Sequence, residues 1–178
     1  MGSVVRLDLE LRLPLLVVKA GGIDVRLRRK PSEPAGPFVI IARDCGLALD
    51  TARRATAGEP HLWEPHGLSH QLWTLRPTGT AGEVYIVSVA NGLVLDSGPN
   101  SQEPALWMWD QHGKPWQRWR LERTPDGVGC LIQACHSGRY LTAHDESVRE
   151  WKPWFEDRDP PKMSQQWLLT QPHSYGPE

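Results

Sequence analysis

Three Gln-x-Trp triplets decide the fold of this chain: Gln71-Leu72-Trp73, Gln117-Arg118-Trp119 and Gln165-Gln166-Trp167. They are spaced by 46 and 48 residues, and each Trp has a Leu two positions later. Recurrence of one motif at a nearly fixed period indicates a repeated structural unit. We therefore interpret the chain as three copies of one unit of about 46 residues.

Two further landmarks precede each triplet in the same order. The first is a Gly-x-x-Leu segment, at Gly46–Asp50, Gly92–Asp96 and Gly138–Thr142. The second is an aromatic residue between the other two landmarks, at Trp63, Trp109 and Trp154. The third unit has about two extra residues, which we place in a loop near Asp157 to Lys162.

Within each unit the pattern predicts β-structure. Short apolar runs stand before the glycines, at 38–41, 85–89 and 130–133. Pro, Gly and Asn clusters separate the segments, and no long window shows the 3.6-residue period of a helix. Four strands per unit give about twelve strands, and three such units predict a closed, threefold β architecture.

Composition excludes several classes of protein. The chain has 178 residues, with 20 Lys and Arg against 21 Asp and Glu, and a formal net charge of -1. This balance provides no general field for binding nucleic acid. No segment has the roughly 20 apolar residues of a membrane span. Nine Trp against two Phe is unusual, and Trp suits both a core and a ligand-stacking surface.

Together, the triplets and the Gly-x-x-Leu-Asp segments resemble the ricin B-type β-trefoil lectin family over about residues 36–171. The resemblance implies an all-β fold, a β-trefoil of three repeats, in which the triplet Trp packs in the core and its Gln braces local loops. It also implies carbohydrate binding, of galactose type, in a shallow pocket on each repeat. There the Asp after the Leu accepts hydrogen bonds from sugar hydroxyls and the later aromatic residue stacks on the sugar ring.

Carried onto repeat 1, the resemblance implies a carbohydrate site formed by Asp50, Trp63, His70 and Gln71. His70 stands where the family often has Asn, and it can also make one polar contact. His61 precedes Trp63 by two residues, so on a strand it lies on the same face and at the rim of the pocket.

On repeat 2 the same positions are Asp96, Trp109 and Gln117. The residue before the triplet is Trp116, which we expect to add a second stacking wall, together with Trp107.

Repeat 3 has Trp154 but carries Thr142 in place of the Asp, so we expect a degenerate site. Glu150 or His144 is the alternative acceptor there if the loop brings it close. Asp50 and Asp96 also have a purely structural interpretation, because Asp after a strand often accepts bonds from local backbone N–H groups.

Other chemistry has weak support. His66 and His70 are four residues apart, but they are expected in a loop and the sequence shows no third ligand, so we predict no metal site and no cofactor. Cys130 and Cys135 have no basic neighbour that would activate a thiolate. No nucleophile motif stands in a strand-turn-helix context, so we predict that the protein is not an enzyme.

The N-terminal region lies outside the repeats. We divide the chain into a β-hairpin extension with its linker (1–33), the trefoil (34–172, with repeats at about 36–80, 81–125 and 126–172) and a tail (173–178). Leucines at every second position from Leu7 to Leu15 predict a strand with one apolar face, and Ala20-Gly21-Gly22 predicts the turn. An apolar hairpin must be covered, so we expect it to form a homo-oligomer or to bind a protein partner. Pro31 to Pro37 is the predicted linker.

The first residues lack the basic and apolar regions of a secretory signal, so we expect a cytoplasmic protein. The alternative to a lectin is a protein-interaction or assembly module, for example the targeting subunit of a toxin or enzyme complex, that has lost sugar binding.

Overall fold

Short strands form almost all of the regular structure among the described residues. The computed structural model describes residues 16–20, 23–27, 35–51, 58–99, 106–147, 150–156 and 162–172. The strands are β1 Leu16–Ala20, β2 Ile23–Leu27, β3 Ala35–Ala42, β4 Ala48–Asp50, β5 His61–Trp63, β6 Leu72–Pro77, β7 Val84–Ser88, β8 Val94–Asp96, β9 Trp107–Trp109, β10 Trp119–Arg123, β11 Cys130–Ala134, β12 Tyr140–Ser147, β13 Glu150–Glu156 and β14 Gln166–Thr170. Short 3₁₀ turns occur at Ser69–Gln71, Pro115–Gln117 and Met163–Gln165. Within the described ranges, no helix is long and apolar enough to cross a membrane.

The first and fourth strands of the three repeats, six strands in all, close into a ring. β3 pairs with β6, β6 with β7, β7 with β10, β10 with β11, β11 with β14, and β14 with β3. The second and third strands of each repeat pair as β4–β5, β8–β9 and β12–β13. Closure leaves no unpaired edge in the ring. The predicted β-trefoil of twelve strands is therefore confirmed.

The triplet tryptophans form the centre of the core. Trp73, Trp119 and Trp167 are each 0% exposed. Each indole N–H donates to the backbone carbonyl of the Gly-x-x-Leu leucine, at 3.0 Å to Leu49, 3.0 Å to Leu95 and 2.9 Å to Leu141. Because a buried indole N–H needs an acceptor, this bond explains why Trp and Leu recur together. The predicted core role of these residues is confirmed.

The repeated glycines make the turns after β3, β7 and β11. Gly46, Gly92 and Gly138 have φ of 75°, 74° and 74°, a region that L-residues with a Cβ seldom adopt. Each donates its N–H to the carbonyl four residues earlier, at 2.9, 3.0 and 2.9 Å. These tight turns bring each Gly-x-x-Leu-Asp segment back beside the ring.

The predicted linker extends into the sheet. β3 begins at Ala35, within the proline-rich segment, and Ala35 pairs with Leu75 before a register shift that ends at Phe38. A Cβ on Gly36 would lie 2.8 Å from the carbonyl oxygen of Trp73, so only Gly fits at that close approach. The C-terminal end of the proline-rich segment is therefore part of β3, and it contains a β-bulge.

An N-terminal hairpin is present as predicted. β1 and β2 are antiparallel, and Ala20 pairs with Ile23 across the predicted turn. In this register Val18 pairs with Val25, so the apolar positions of β2 (23, 25 and 27) pair with even-numbered positions of β1 (20, 18 and 16). The row from Leu7 to Leu15 lies outside the described residues, as do the interior of the predicted insertion (157–161) and the tail.

Candidate functional site

Each of the first two repeats places an Asp and a Trp on the same face of its outer hairpin. Asp50 pairs with His61, and Trp63 lies two residues further along the same strand. Since side chains alternate between faces, His61 and Trp63 share the face of Asp50. The register in repeat 2 is the same, with Asp96 opposite Trp107 and Trp109 two residues further on. The predicted pairs of acceptor and aromatic residue are therefore brought together.

The two carboxylates are buried whereas the two indoles are exposed. Asp50 is 2% exposed and Asp96 is 5% exposed, while Trp63 is 56% and Trp109 is 51% exposed. Trp107 is also exposed. Each of these two repeats therefore has a buried carboxylate and an exposed indole on one hairpin face.

Each carboxylate is in contact with a histidine. The sequence motifs did not identify these two histidines as carbohydrate-site residues. The Nε2 atom of His66 lies 3.3 Å from Oδ2 of Asp50, and Nε2 of His112 lies 3.1 Å from Oδ2 of Asp96. Both histidines stand sixteen residues after their Asp and five before the triplet Gln. The His-Gly pair repeated at this spacing is the signal that would have identified them.

The orientation of these histidines is the same in both repeats. The backbone N–H of Leu68 donates to Nδ1 of His66, and that of Lys114 donates to Nδ1 of His112, each at 3.2 Å. When Nδ1 accepts, the proton of a neutral imidazole is on Nε2. Both rings therefore present an N–H to the carboxylate, and in repeat 2 the N–H of Gly98 adds a bond to Asp96 Oδ1 at 2.7 Å.

The triplet glutamines support the loops that carry these histidines. Gln71 accepts from the N–H groups of His66 and Gly67 through Oε1, and donates to the carbonyl of Glu64 through Nε2. Gln117 makes the three equivalent bonds in repeat 2, to His112, Gly113 and Asp110. Both are fully buried. Their bracing role is confirmed, and we place them beneath the predicted pockets rather than at the pocket surface.

Repeat 1 surrounds its carboxylate with imidazoles. In addition to His66, Nε2 of His70 lies 3.6 Å from Asp50 Oδ2, and Nε2 of His61 lies 4.0 Å from Oδ1. The His66 and His70 rings are 4.5 Å apart between centroids. Asp50, His66 and His70 have ligand atoms within 4.8 Å of one another, a spacing that could hold a metal ion. Asp50 is thus the potential third ligand that the sequence did not show beside His66 and His70.

Repeat 2 has aromatic residues at the two positions where repeat 1 has extra imidazoles. Trp107 stands where repeat 1 has His61, and Trp116 stands where it has His70. The Trp116 ring lies edge-on between His112 and His136, at centroid distances of 5.6 and 5.8 Å. The Lys114 ammonium is 5.1 Å from the Trp116 ring centroid. Trp116 thus forms a fixed, half-buried side of this site.

Repeat 3 differs in register from the other two. Trp154 pairs with Thr142, so it occupies the position of His61 and Trp107 and not that of Trp63 and Trp109. Thr142 and Trp154 are twelve residues apart, against eleven for the equivalent pairs, so one extra residue precedes Trp154. The predicted equivalence of Trp154 with Trp63 is therefore wrong.

No carboxylate occupies the Asp position of repeat 3. Thr142 is buried, and its hydroxyl donates to the carbonyl of Tyr140 at 3.0 Å. Of the two alternative acceptors, His144 pairs with Lys152 and Glu150 pairs with Ser147. The side chains of Trp154 and Glu150 lie outside the described residues.

Comparisons with known proteins agree with this architecture. A family model for a ricin-type β-trefoil lectin domain-like region matches residues 69–153. The designed threefold-symmetric protein ThreeFoil superposes with a TM-score of 0.67 at 23% identity, covering 75% of this chain and 97% of that one. The cytolethal distending toxin of Actinobacillus actinomycetemcomitans gives a TM-score of 0.66 at 14% identity, covering 79% and 94%.

A lectin of Polyporus squamosus, solved with a human-type influenza-binding epitope, gives a TM-score of 0.62 at 15% identity. The alignment covers 76% of this chain and 49% of the lectin. A search of curated proteins found no match. At these identities the solved structures show a shared fold. The family match and this fold confirm that the chain resembles the ricin B-type β-trefoil lectin family.

Proposed function

We propose that this protein is a non-catalytic carbohydrate-binding module that binds sugar on repeats 1 and 2. The observation that carries the proposal is the repeated pairing of a buried, histidine-held carboxylate with an exposed Trp on the same hairpin face. The family match adds support, because its model describes a lectin-like domain.

The chemistry of each site matches that of a pyranose ring. Vicinal hydroxyls donate to a carboxylate in charge-assisted hydrogen bonds, and the C–H face of the sugar packs on an indole. Asp96 is already oriented by Gly98 and His112, so little side-chain freedom is lost on binding. Galactose-type sugars are the first candidates, in line with the family resemblance and with the galactose-containing epitope bound to the Polyporus squamosus lectin.

A glycan array tests the proposal. We expect the wild-type protein, kept in EDTA, to bind a restricted set of glycans. An Asp50→Asn/Asp96→Asn double variant should lose this signal while its near-ultraviolet circular dichroism remains native. The matched control is Thr142→Ser, a change at the same position of repeat 3, which should bind like the wild type. Equal binding by the double variant would refute the assignment of these sites.

A protein-assembly role is the second candidate. It is favoured by β1 and β2, which form a two-stranded sheet separate from the twelve-stranded one among the described residues. Such hairpins are marginal alone in water, so we propose that this hairpin mediates self-association or docking to a partner subunit. Light scattering at micromolar concentration should show an oligomer that becomes monomeric when residues 1–30 are removed. A strictly monomeric full-length chain would refute self-association.

A further inference from the structure

We propose that repeat 1 contains a binding site for a divalent transition metal, formed by Asp50, His66 and His70. This proposal does not depend on the sugar-binding function. The Nε2 atoms of His66 and His70 lie 3.3 and 3.6 Å from the same carboxylate oxygen of Asp50. With zinc–ligand bonds of about 2.0–2.1 Å, adjacent ligand atoms of a tetrahedral site are about 3.3 Å apart. Both imidazole-to-carboxylate distances are thus near tetrahedral spacing, and all three donors lie within 4.8 Å of one another.

The donor types select the class of metal. Two imidazoles and one carboxylate suit zinc and its first-row neighbours, whereas calcium and magnesium prefer oxygen ligands alone. His61 is the candidate for a fourth ligand, because its Nε2 lies 4.0 Å from Asp50 Oδ1. If His61 does not bind, a water or a solute hydroxyl fills the fourth position.

The surrounding structure holds the donors in place. Oε1 of Gln71 accepts the backbone N–H of His66 at 2.8 Å, and the backbone carbonyl of His70 accepts the N–H of Thr51 at 3.0 Å. These bonds fix the backbone from which both imidazoles extend. Asp50 and His70 are buried and His66 is partly exposed, so an ion would enter past His66.

Coordination requires one change of proton position. A neutral imidazole that binds metal through Nε2 carries its proton on Nδ1. His66 would therefore give up the 3.2 Å hydrogen bond that Leu68 N–H donates to its Nδ1. That hydrogen bond is long and exposed, so the Nδ1–H of metal-bound His66 can donate to water instead. The proton now on Nε2 is passed to Nδ1 through solvent, so His66 remains neutral and releases no net proton.

Repeat 2 is an internal control for this site. It has the same carboxylate and histidine, with Nε2 of His112 at 3.1 Å from Asp96. Trp116 replaces His70 and Trp107 replaces His61, and among the described residues no metal-ligand group of three forms there. We therefore expect one metal site, in repeat 1. A bound metal would occupy Asp50, so metal and sugar would exclude each other in repeat 1.

Zinc titration of the untagged full-length protein against a chromogenic chelator tests the proposal. We expect one zinc per chain, and at least about a tenfold loss of affinity in both His70→Ala and His66→Ala. Bound Co²⁺ should show tetrahedral visible bands that both variants lose. His112→Ala, the matched change in repeat 2, should keep zinc affinity and bands. Failure of the wild type to compete with the chelator, unchanged affinity in both repeat 1 variants, or an equal loss in His112→Ala would each overturn the site. Because no glycan is present, the result is independent of sugar binding.

Discussion

Repeats 1 and 2 share one frame and differ at the residues that surround their carboxylates. In both, Asp is held by a histidine from a loop that a buried Gln supports, and a buried Trp binds the carbonyl of the preceding Leu. His61 and His70 of repeat 1 correspond to Trp107 and Trp116 of repeat 2. The Gln and Trp bonds of the frame go to the backbone, so they recur in both repeats although the side chains around the carboxylates differ.

Substitutions in the shared frame should have the largest effect, which is on the free energy of unfolding. This effect should be equal in the two repeats. We expect Trp73→Ala and Trp119→Ala each to lower the free energy of unfolding by about 3–5 kcal/mol, because each leaves a cavity and an unpaired leucine carbonyl. Urea unfolding measures the change. A difference of more than about 2 kcal/mol between the two variants would show that the repeats are not equivalent in the core.

The carboxylates should have the next largest effect, on sugar affinity. We expect Asp50→Asn and Asp96→Asn each to weaken sugar binding at their own repeat by about 10- to 150-fold, which corresponds to about 1.5–3 kcal/mol for a hydrogen bond to a charged group. Calorimetry in EDTA, with a glycan identified on the array, should show one strong site left in each variant. Two strong sites left in either variant would contradict the assignment.

Exchanging one residue between the repeats should exchange their metal binding. We expect Trp116→His to create a second zinc equivalent, because it adds an imidazole beside Asp96 and His112, and His70→Trp to abolish the first. Zinc stoichiometry and Co²⁺ spectra measure both effects, with a change of at least about tenfold in affinity. Trp116→Phe is the control and should gain nothing. A gain of zinc by Trp116→Phe equal to that of Trp116→His would mean that the new zinc binds elsewhere.

The exposed aromatic residues should have the smallest effect. Trp63→Ala and Trp109→Ala should weaken sugar binding by about 2- to 13-fold, the equivalent of about 0.5–1.5 kcal/mol for an aromatic contact. Unfolding free energy should change by about 0.5 kcal/mol or less, because both side chains are largely exposed. A large loss of stability would indicate that these residues serve packing instead.

The fold was largely predictable because its motifs recur three times. Each Gln-x-Trp and Gly-x-x-Leu marks a bond that the trefoil needs, such as the indole N–H of Trp119 to the carbonyl of Leu95. Twelve strands and the core tryptophans follow from this repetition. The Gly36 bulge was not predictable, because its reason is the close approach to Trp73 from another strand.

The candidate site was predictable only in part. Asp50 and Trp63 follow from the resemblance, and the repeated His-Gly pair marks His66 as a candidate. The contact of His66 with Asp50 was not predictable, because it joins residues sixteen apart through a loop whose course the sequence does not specify. The register of Trp154 depends on where the extra residues of repeat 3 lie, and composition gives no sign of that. Local patterns thus predicted the strands and the core better than the contacts around the carboxylates.

We propose above that sugar binds beside the exposed tryptophans of repeats 1 and 2. The most direct measurement is a nitrogen-15 nuclear magnetic resonance titration of the nine Trp indole signals, assigned by substitution, with a glycan identified on the array and EDTA present. We expect saturable shifts for Trp63 and Trp109, whereas the signals of Trp73, Trp119 and Trp167 should not move. Binding that leaves both Trp63 and Trp109 signals in place would contradict it.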